Sequence, residues 1–229
     1  MIGPGLNLRS IRSFVRREGR MTKAQQRALT ELWPRYTVQA DSIIDFAAAF
    51  DRRAPVMLEI GFGNGEALSA TAAAFPQNNY LGIEVHRPGI GNLLLQLERQ
   101  GLRNVRVIGG DAKLVLREHV PPTSLDAVYL FFPDPWPKTR HHKRRLVQAD
   151  FVQLVREKLK PGGCFHIATD WEDYAHHILQ VLSRAEGFEN IAGRGQYAPR
   201  PQYRLLTKFE RRGRKLGHAV YDLIFRTEK

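Results

Sequence analysis

The chain has 229 residues, with 35 Lys and Arg against 23 Asp and Glu, a formal net charge of +12 and a sequence pI near 10.2. A hydrophobic share of 43% and a charged share of 25% describe an ordinary globular chain and exclude intrinsic disorder, collagen and a disulfide-stapled miniprotein. No apolar run approaches the ~20 residues that span a bilayer. The lone Cys164 has no intrachain disulfide partner and reads as a small core residue. Residues 1–20 carry arginines at 9, 12, 16, 17 and 20 but no apolar core of a secretory signal, so a cytoplasmic location is expected.

In chain order, residues 1–54 read as a basic helical extension, with apolar patterns at Ala28, Leu29, Leu32 and Trp33 and again at Ile43, Ile44, Phe46 and Ala47. Residues 55–229 then alternate apolar runs with helical patterns. Strands are predicted at Val56 to Ile60, Tyr80 to Val85, Val105 to Ile108, Ala127 to Phe132 and Cys164 to Ala168. The helices between them are Glu66 to Phe75, Gly89 to Gln100, Ala112 to His119 and Leu146 to Leu159, the last stopped by Pro161-Gly162-Gly163. One more helix, Trp171 to Ala185, precedes a Gly-rich basic stretch and a final strand, Ala219 to Phe225. Repeated βαβ units imply an α/β fold with a doubly wound, mostly parallel sheet, whose ligands bind at the carboxyl ends of the strands.

The charge is unevenly spread. Residues 55–137 hold 6 basic and 8 acidic side chains, whereas residues 1–54 hold 10 and 5 and residues 138–229 hold the remaining excess. The densest run, Lys138 to Arg145, contains no acid. Like charges so close together repel, and phosphate relieves the cost, which favours a nucleic-acid surface over an ordinary solvated face.

The first strand leads into Gly61-Phe62-Gly63-Asn64-Gly65-Glu66. Glycines permit a tight turn and close ligand approach, but Glu66 stands where a dinucleotide fingerprint has its third glycine and is a poor neighbour for pyrophosphate. A nucleoside donor without phosphate suits the loop better. S-adenosylmethionine is one, with cationic groups that would face Glu59. Glu84, at the end of the second strand, can accept both ribose hydroxyls; Asp111, after the third, can accept from an adenine amino group and also cap a helix. The fourth strand empties into Phe132-Pro133-Asp134-Pro135-Trp136-Pro137-Lys138. Three prolines fix φ and restrict the residues before them, so Asp134 and Trp136 are expected in extended, pre-set conformations, Asp134 beside the methyl group and Trp136 packing the loop down. The adjacent pairs His141-His142 and His176-His177 lack the i, i+4 spacing of a helical metal site, and no metal is expected.

The run Pro133 to Lys138, followed by Arg140-His141 and Lys143-Arg144-Arg145, resembles the signature of bacterial tRNA (guanine-N7)-methyltransferases. Arg12 to Arg17 and Thr207 to Gly213 agree with it. The resemblance implies a Rossmann-like class I methyltransferase with an antiparallel C-terminal strand, S-adenosylmethionine as donor and tRNA as partner. On that resemblance Glu59, Glu84, Asp111 and Asp134 bind the donor beside the loop of Gly61, Gly63 and Gly65, and Asp134 is also the active-site acid. Lys138, Asp170, Thr207, Lys208, Phe209 and Glu210 contact the substrate, and Arg140, His141, Lys143, Arg144 and Arg145 the RNA. A methyltransferase for small molecules or protein would not need the basic clusters; a non-catalytic RNA-binding protein would not need the strand-end carboxylates.

Overall fold

The computed structural model describes residues 19–38, 42–206, 210 and 219–228. Seven strands form one sheet: β1 (Val56–Ile60), β2 (Asn79–Glu84), β3 (Val105–Gly109), β4 (Leu125–Phe131), β5 (Leu159–Thr169), β6 (Phe188–Asn190) and β7 (Tyr221–Thr227). Their order is β3-β2-β1-β4-β5-β7-β6, parallel from β3 through β5 and antiparallel where β7 pairs with β5 and β6. The order reverses between β1 and β4, which opens a crevice at the carboxyl ends of those two strands.

The parallel strands are apolar because both faces are covered. Every residue of β2 is buried, as are Leu58 and Ile60 of β1 and Val105 and Val107 of β3. On one side α4 (Glu66–Ala74) and α5 (Arg87–Gln100) bring in Leu68, Leu93, Leu94 and Leu97. On the other, α6 (Ala112–Glu118), α7 (Ala149–Lys158) and α8 (Glu172–Ser183) contribute Leu116, Phe151, Val155, Tyr174, Ile178 and Leu182. Each such side chain stabilises the fold by about 1.5–3 kcal/mol relative to exposure.

The described part of the extension is helical, as its pattern predicts, and packs on the β3 edge. Helix α1 (Lys23–Glu31) starts in a capping box between Thr22 and Gln25, and the Gln25 amide also donates to the Pro88 carbonyl at 3.2 Å. Helix α2 (Trp33–Tyr36) buries Tyr36, whose hydroxyl donates to Glu98, and Thr37 forms a single bridge with Val107. A short helix α3 (Phe46–Phe50) is capped by Asp45.

Two differences from the sequence reading matter. β5 begins at Leu159, five residues early, because Pro161-Gly162-Gly163 is taken up as an irregularity within the strand: Leu125 pairs with Leu159 but Ala127 with Cys164. Helix α7 begins at Ala149 rather than Leu146, since residues 139–144 form an unpredicted 3₁₀ turn and Arg145 to Val147 are held elsewhere. Cys164 is mostly buried and its thiol is pushed up to about 11, chiefly by burial, which suits a packing residue.

Candidate active site

The crevice at the strand reversal is a cavity of about 420 Å³. Its walls are the ends of β1, β2 and β4 and the loops beyond them, including Gly61, Gly63, Glu84, Gly110, Phe132 and Asp134. With the turn after β3 at Gly110 and Ala112, four strand-end segments that are distant in sequence therefore meet at one opening.

The glycine loop is shaped by its backbone. Gly65 caps α4 at φ +74°, and a Cβ there would lie 2.6 Å from that of Leu93. Gly63 donates its N–H to the Glu84 carboxylate at 2.8 Å, and Gly61 donates to the Ile83 carbonyl at 2.8 Å. The other Glu84 oxygen accepts from Val85 and His86 at 2.7 and 2.9 Å. Three backbone donors thus fix this carboxylate at the groove wall before any ligand arrives. Gly89 was missed in the sequence: a Cβ on it would lie 2.1 Å from the Gly63 carbonyl oxygen, so α5 rests directly on the loop.

Glu59 lies at the end of β1, 6% exposed, just below the residues that line the groove. No described residue donates a hydrogen bond to it, and burial, reinforced by the nearby Glu84 charge, pushes its carboxyl up to about 8. A buried acid without a donor partner fits a cationic ligand group. Asp111 caps α6 by accepting from Lys113 N–H at 2.8 Å, while its neighbours Gly110 and Ala112 line the groove. Gly65 supports the wall from behind, while Glu59 and Asp111 each adjoin a lining residue, Ile60 and Gly110.

Asp134 is exposed at the groove's mouth. The loop that carries it leaves β4 through Phe132, at φ +53°, whose N–H donates to the Ala168 carbonyl at 2.7 Å. A non-glycine residue in the left-handed region at a strand end is a costly conformation of the kind found at functional sites. Trp136 departs from the extended conformation expected before proline, with φ +47°. Its ring packs edge-on against His141, 5.8 Å between centroids, and lies beneath the Arg144 guanidinium at 5.0 Å. The indole is thus held by the basic turn, in the packing role expected of it.

Of the basic run, Lys138, Arg140, Lys143 and Arg144 are exposed and none is paired with a carboxylate among the described residues. Arg145 differs. It is 2% exposed; its Nε donates to the Pro135 carbonyl at 2.9 Å, and one guanidinium nitrogen meets Asp173 of α8 and the His142 ring at 3.0 Å. Its carbon lies 4.8 Å from the Tyr174 ring centre. Asp170 stands one residue beyond β5, beside the exposed Trp171.

Thr207, Lys208 and Phe209 lie outside the described residues. Glu210 is 2% exposed and receives the Arg204 guanidinium at 2.6 and 3.1 Å; the same guanidinium donates to Asp222 at 2.6 and 2.9 Å. Asp222 also accepts from His166 at 2.8 Å, and Tyr203 lies 3.1 Å from the other His166 nitrogen. Burial holds the imidazole below its ordinary pKa, so neutral His166 donates to Asp222 and accepts from Tyr203. This network ties residues 203, 204 and 210 to β5 and β7, and it encloses the Glu210 side chain expected to contact substrate.

Residues 53–223 match the family model Methyltransf_4, described as "Putative methyltransferase". Among solved structures, the 16S rRNA methyltransferase KamB superposes with a TM-score of 0.59 at 15% identity, covering 84% of this chain and 99% of that one. An S-adenosylmethionine-dependent methyltransferase from Aquifex aeolicus gives 0.51 at 13% identity, over 76% and 82% of the two chains. Sheet order, crevice and family together define a Rossmann-like methyltransferase.

Curated relatives narrow the class. The tRNA (guanine-N(7)-)-methyltransferases of Hydrogenovibrio crunogenus and Yersinia enterocolitica are each 56% identical, over 95% and 96% of this chain and 91% and 93% of theirs. That of Alkalilimnicola ehrlichii is 57% identical over 95% and 93%. The chain belongs to the tRNA (guanine-N7)-methyltransferase family.

Proposed function

We propose that the protein transfers a methyl group from S-adenosylmethionine to N7 of a guanine in tRNA, position 46 of the variable loop, and works in the cytosol. The carrying observation is that one short loop holds both Asp134 at the groove's mouth and, from Lys138 onward, the unpaired cations. A donor site and a polyanion surface on one loop suit an RNA-modifying enzyme.

When bound, S-adenosylmethionine supplies an electrophilic methyl carbon on a sulfonium and departs as S-adenosylhomocysteine. Glu84, held by three backbone N–H groups, keeps lone pairs for the ribose hydroxyls. Glu59 opposes the cationic amino-acid end, and Asp111 with the Gly110 turn serves the adenine edge.

Guanine N7 bears a lone pair and no proton, so the chain has no proton to remove there. Its work is placement, and orientation alone can supply several kcal/mol, up to about 7–11 in favourable cases. Asp134 accepts from the N1–H and N2–H of guanine, which fixes the ring and sets a negative charge near the positive charge growing on it. Lys138, Arg140, His141, Lys143 and Arg144 meet the RNA backbone, and the family resemblance assigns substrate contacts to Asp170 and to Thr207, Lys208 and Phe209.

Asp134→Ala is expected to lower turnover by about 1,000-fold while tRNA affinity stays within about two-fold. Incubation with bulk tRNA and labelled donor, followed by nucleoside mapping, reads both class and target. 7-methylguanosine from the variable loop is the expected product; a different nucleoside, or label in protein alone, would overturn the substrate assignment.

A further inference from the structure

The loop of residues 133–138 is poorly equipped to hold itself in place. Pro133, Pro135 and Pro137 have no N–H, so half its residues cannot donate a backbone hydrogen bond. Phe132 leaves the sheet in a left-handed conformation and Trp136 repeats it, which makes both turns conformationally costly. Something outside the loop must determine its position.

Arg145 is placed to do this. Its Nε–H donates to the carbonyl of Pro135, in the middle of the loop and next to Asp134. The neighbouring Nη2 of the fork meets the Asp173 carboxylate in the first turn of α8, and the guanidinium lies over Tyr174 one residue on. Helix α8 also grips the chain just after Arg145: Val147 N–H donates to the Tyr174 hydroxyl at 3.2 Å, and His177 donates to the Val147 carbonyl at 2.9 Å. Asp173 responds to the pairing, its carboxyl held below the usual range mainly by the Arg145 hydrogen bond.

We propose that Arg145, braced by Asp173, is a positioning residue that fixes the Asp134 loop against α8 and takes no part in phosphate binding. The side chain is 1% exposed, and its Nε and Nη2 already have partners on three segments. For a phosphate to reach it, the guanidinium would have to abandon the Pro135 carbonyl and leave Asp173 unpaired. Arg144 alongside it is exposed and faces solvent. Adjacent arginines in one basic run thus have different tasks. Lys is a poor replacement for Arg145, because a compact ammonium lacks the rigid fork whose neighbouring Nε and Nη2 hold the Pro135 carbonyl and the Asp173 carboxylate together.

The inference rests on Asp134 acting in methyl transfer, and the test separates the two. Single-turnover methylation of a tRNA transcript, with tRNA affinity over a salt series, is measured for wild type, Asp134→Ala, Arg145→Lys, Arg145→Met, Asp173→Ala and the Arg145→Lys/Asp173→Ala double variant. Asp173 is largely exposed, so its variant stays informative even where Arg145→Lys folds poorly. Thermal unfolding is followed for every variant.

Arg145→Lys and Asp173→Ala are each expected to slow the single-turnover step by about 10- to 100-fold, with tRNA affinity within about two-fold and an unchanged salt slope. The double variant should be no slower than the slower single variant, since both break one link. A wild-type rate in Asp173→Ala, or a salt slope flattened by about one unit in Arg145→Met, which removes the charge that Lys keeps, would overturn the proposal. If Asp134→Ala itself methylates at the wild-type rate, it is the role of Asp134 that fails.

Discussion

The two sides of the crevice are built by different means. On the donor side, β1, β2 and the glycine loop are set by backbone: three N–H groups hold Glu84, Gly65 caps α4, and Gly89 lies against the Gly63 carbonyl. On the acceptor side, the β4 loop is set by side chains, through Arg145, Asp173 and Trp136 with its cationic neighbours. Backbone placement leaves little room for substitution but is insensitive to salt. Side-chain placement tolerates change at the rim and fails at the clasp. The donor wall can therefore be ready before ligand arrives, while the acceptor wall places four exposed cations in water, where a polyanion gains most from releasing its counterions.

The sharpest break on the donor side is Gly89→Ala. A methyl group 2.1 Å from the Gly63 carbonyl oxygen has no flexible side chain to displace, so either α5 or the loop must shift. Donor affinity is expected to fall by about 100-fold, equivalent to about 2.7 kcal/mol, with a lower unfolding midpoint. Titration calorimetry with S-adenosylmethionine checks this, and unaltered affinity would show that the loop is not held by α5.

Glu59 tests the donor side through pH. Its carboxyl stands at about 8 in the folded chain against 4.5 for an unperturbed group, because burial and Glu84 disfavour the charge. The folded state thus binds more protons than the unfolded state between those two values, and stability contributed by this residue declines as pH rises through that window, then levels off above it. Compared with Glu59→Gln, donor-free wild type should lose several degrees in unfolding midpoint between about pH 5 and pH 8. Donor affinity should move the other way, rising by up to about ten-fold per pH unit toward pH 8, since a cation needs the ionised acid. The Gln variant should show neither trend; a wild type that behaves like it would mean Glu59 is already ionised.

The same contrast explains what the sequence reveals. The parallel strands and four crossover helices are readable because strands buried on both faces are continuously apolar, and each helix carries its own stripe. The groups at the ends of β1 to β4 are legible for a related reason, since the topology places strand ends together. What escapes is contact between distant residues. Asp173 is 28 positions from Arg145, and nothing local marks it as that arginine's partner. Gly89 looks like an ordinary residue early in a helix until the Gly63 carbonyl is set beside it. Trp136 follows proline and precedes proline, so local rules predict extension; the edge-on His141 ring and the Arg144 cation favour the left-handed turn instead.

The smallest effect isolates the rim from the clasp. Arg144 is exposed and lies 5.0 Å over the Trp136 ring, a geometry that steadies the guanidinium without desolvating it. Arg144→Ala should weaken tRNA binding by about three- to ten-fold and reduce the salt slope by about 0.7–0.9, the value of one phosphate contact. The single-turnover rate at saturating tRNA should change less than in Asp173→Ala. Arg144→Lys should keep most of the slope while losing the planar stacking on Trp136, so its remaining deficit measures how far the indole orients the cation. Filter binding across a salt series supplies both numbers. If Arg144→Ala instead leaves the slope intact and slows the chemical step, the cation over Trp136 belongs to loop positioning, and the line between rim and clasp must move outward by one residue.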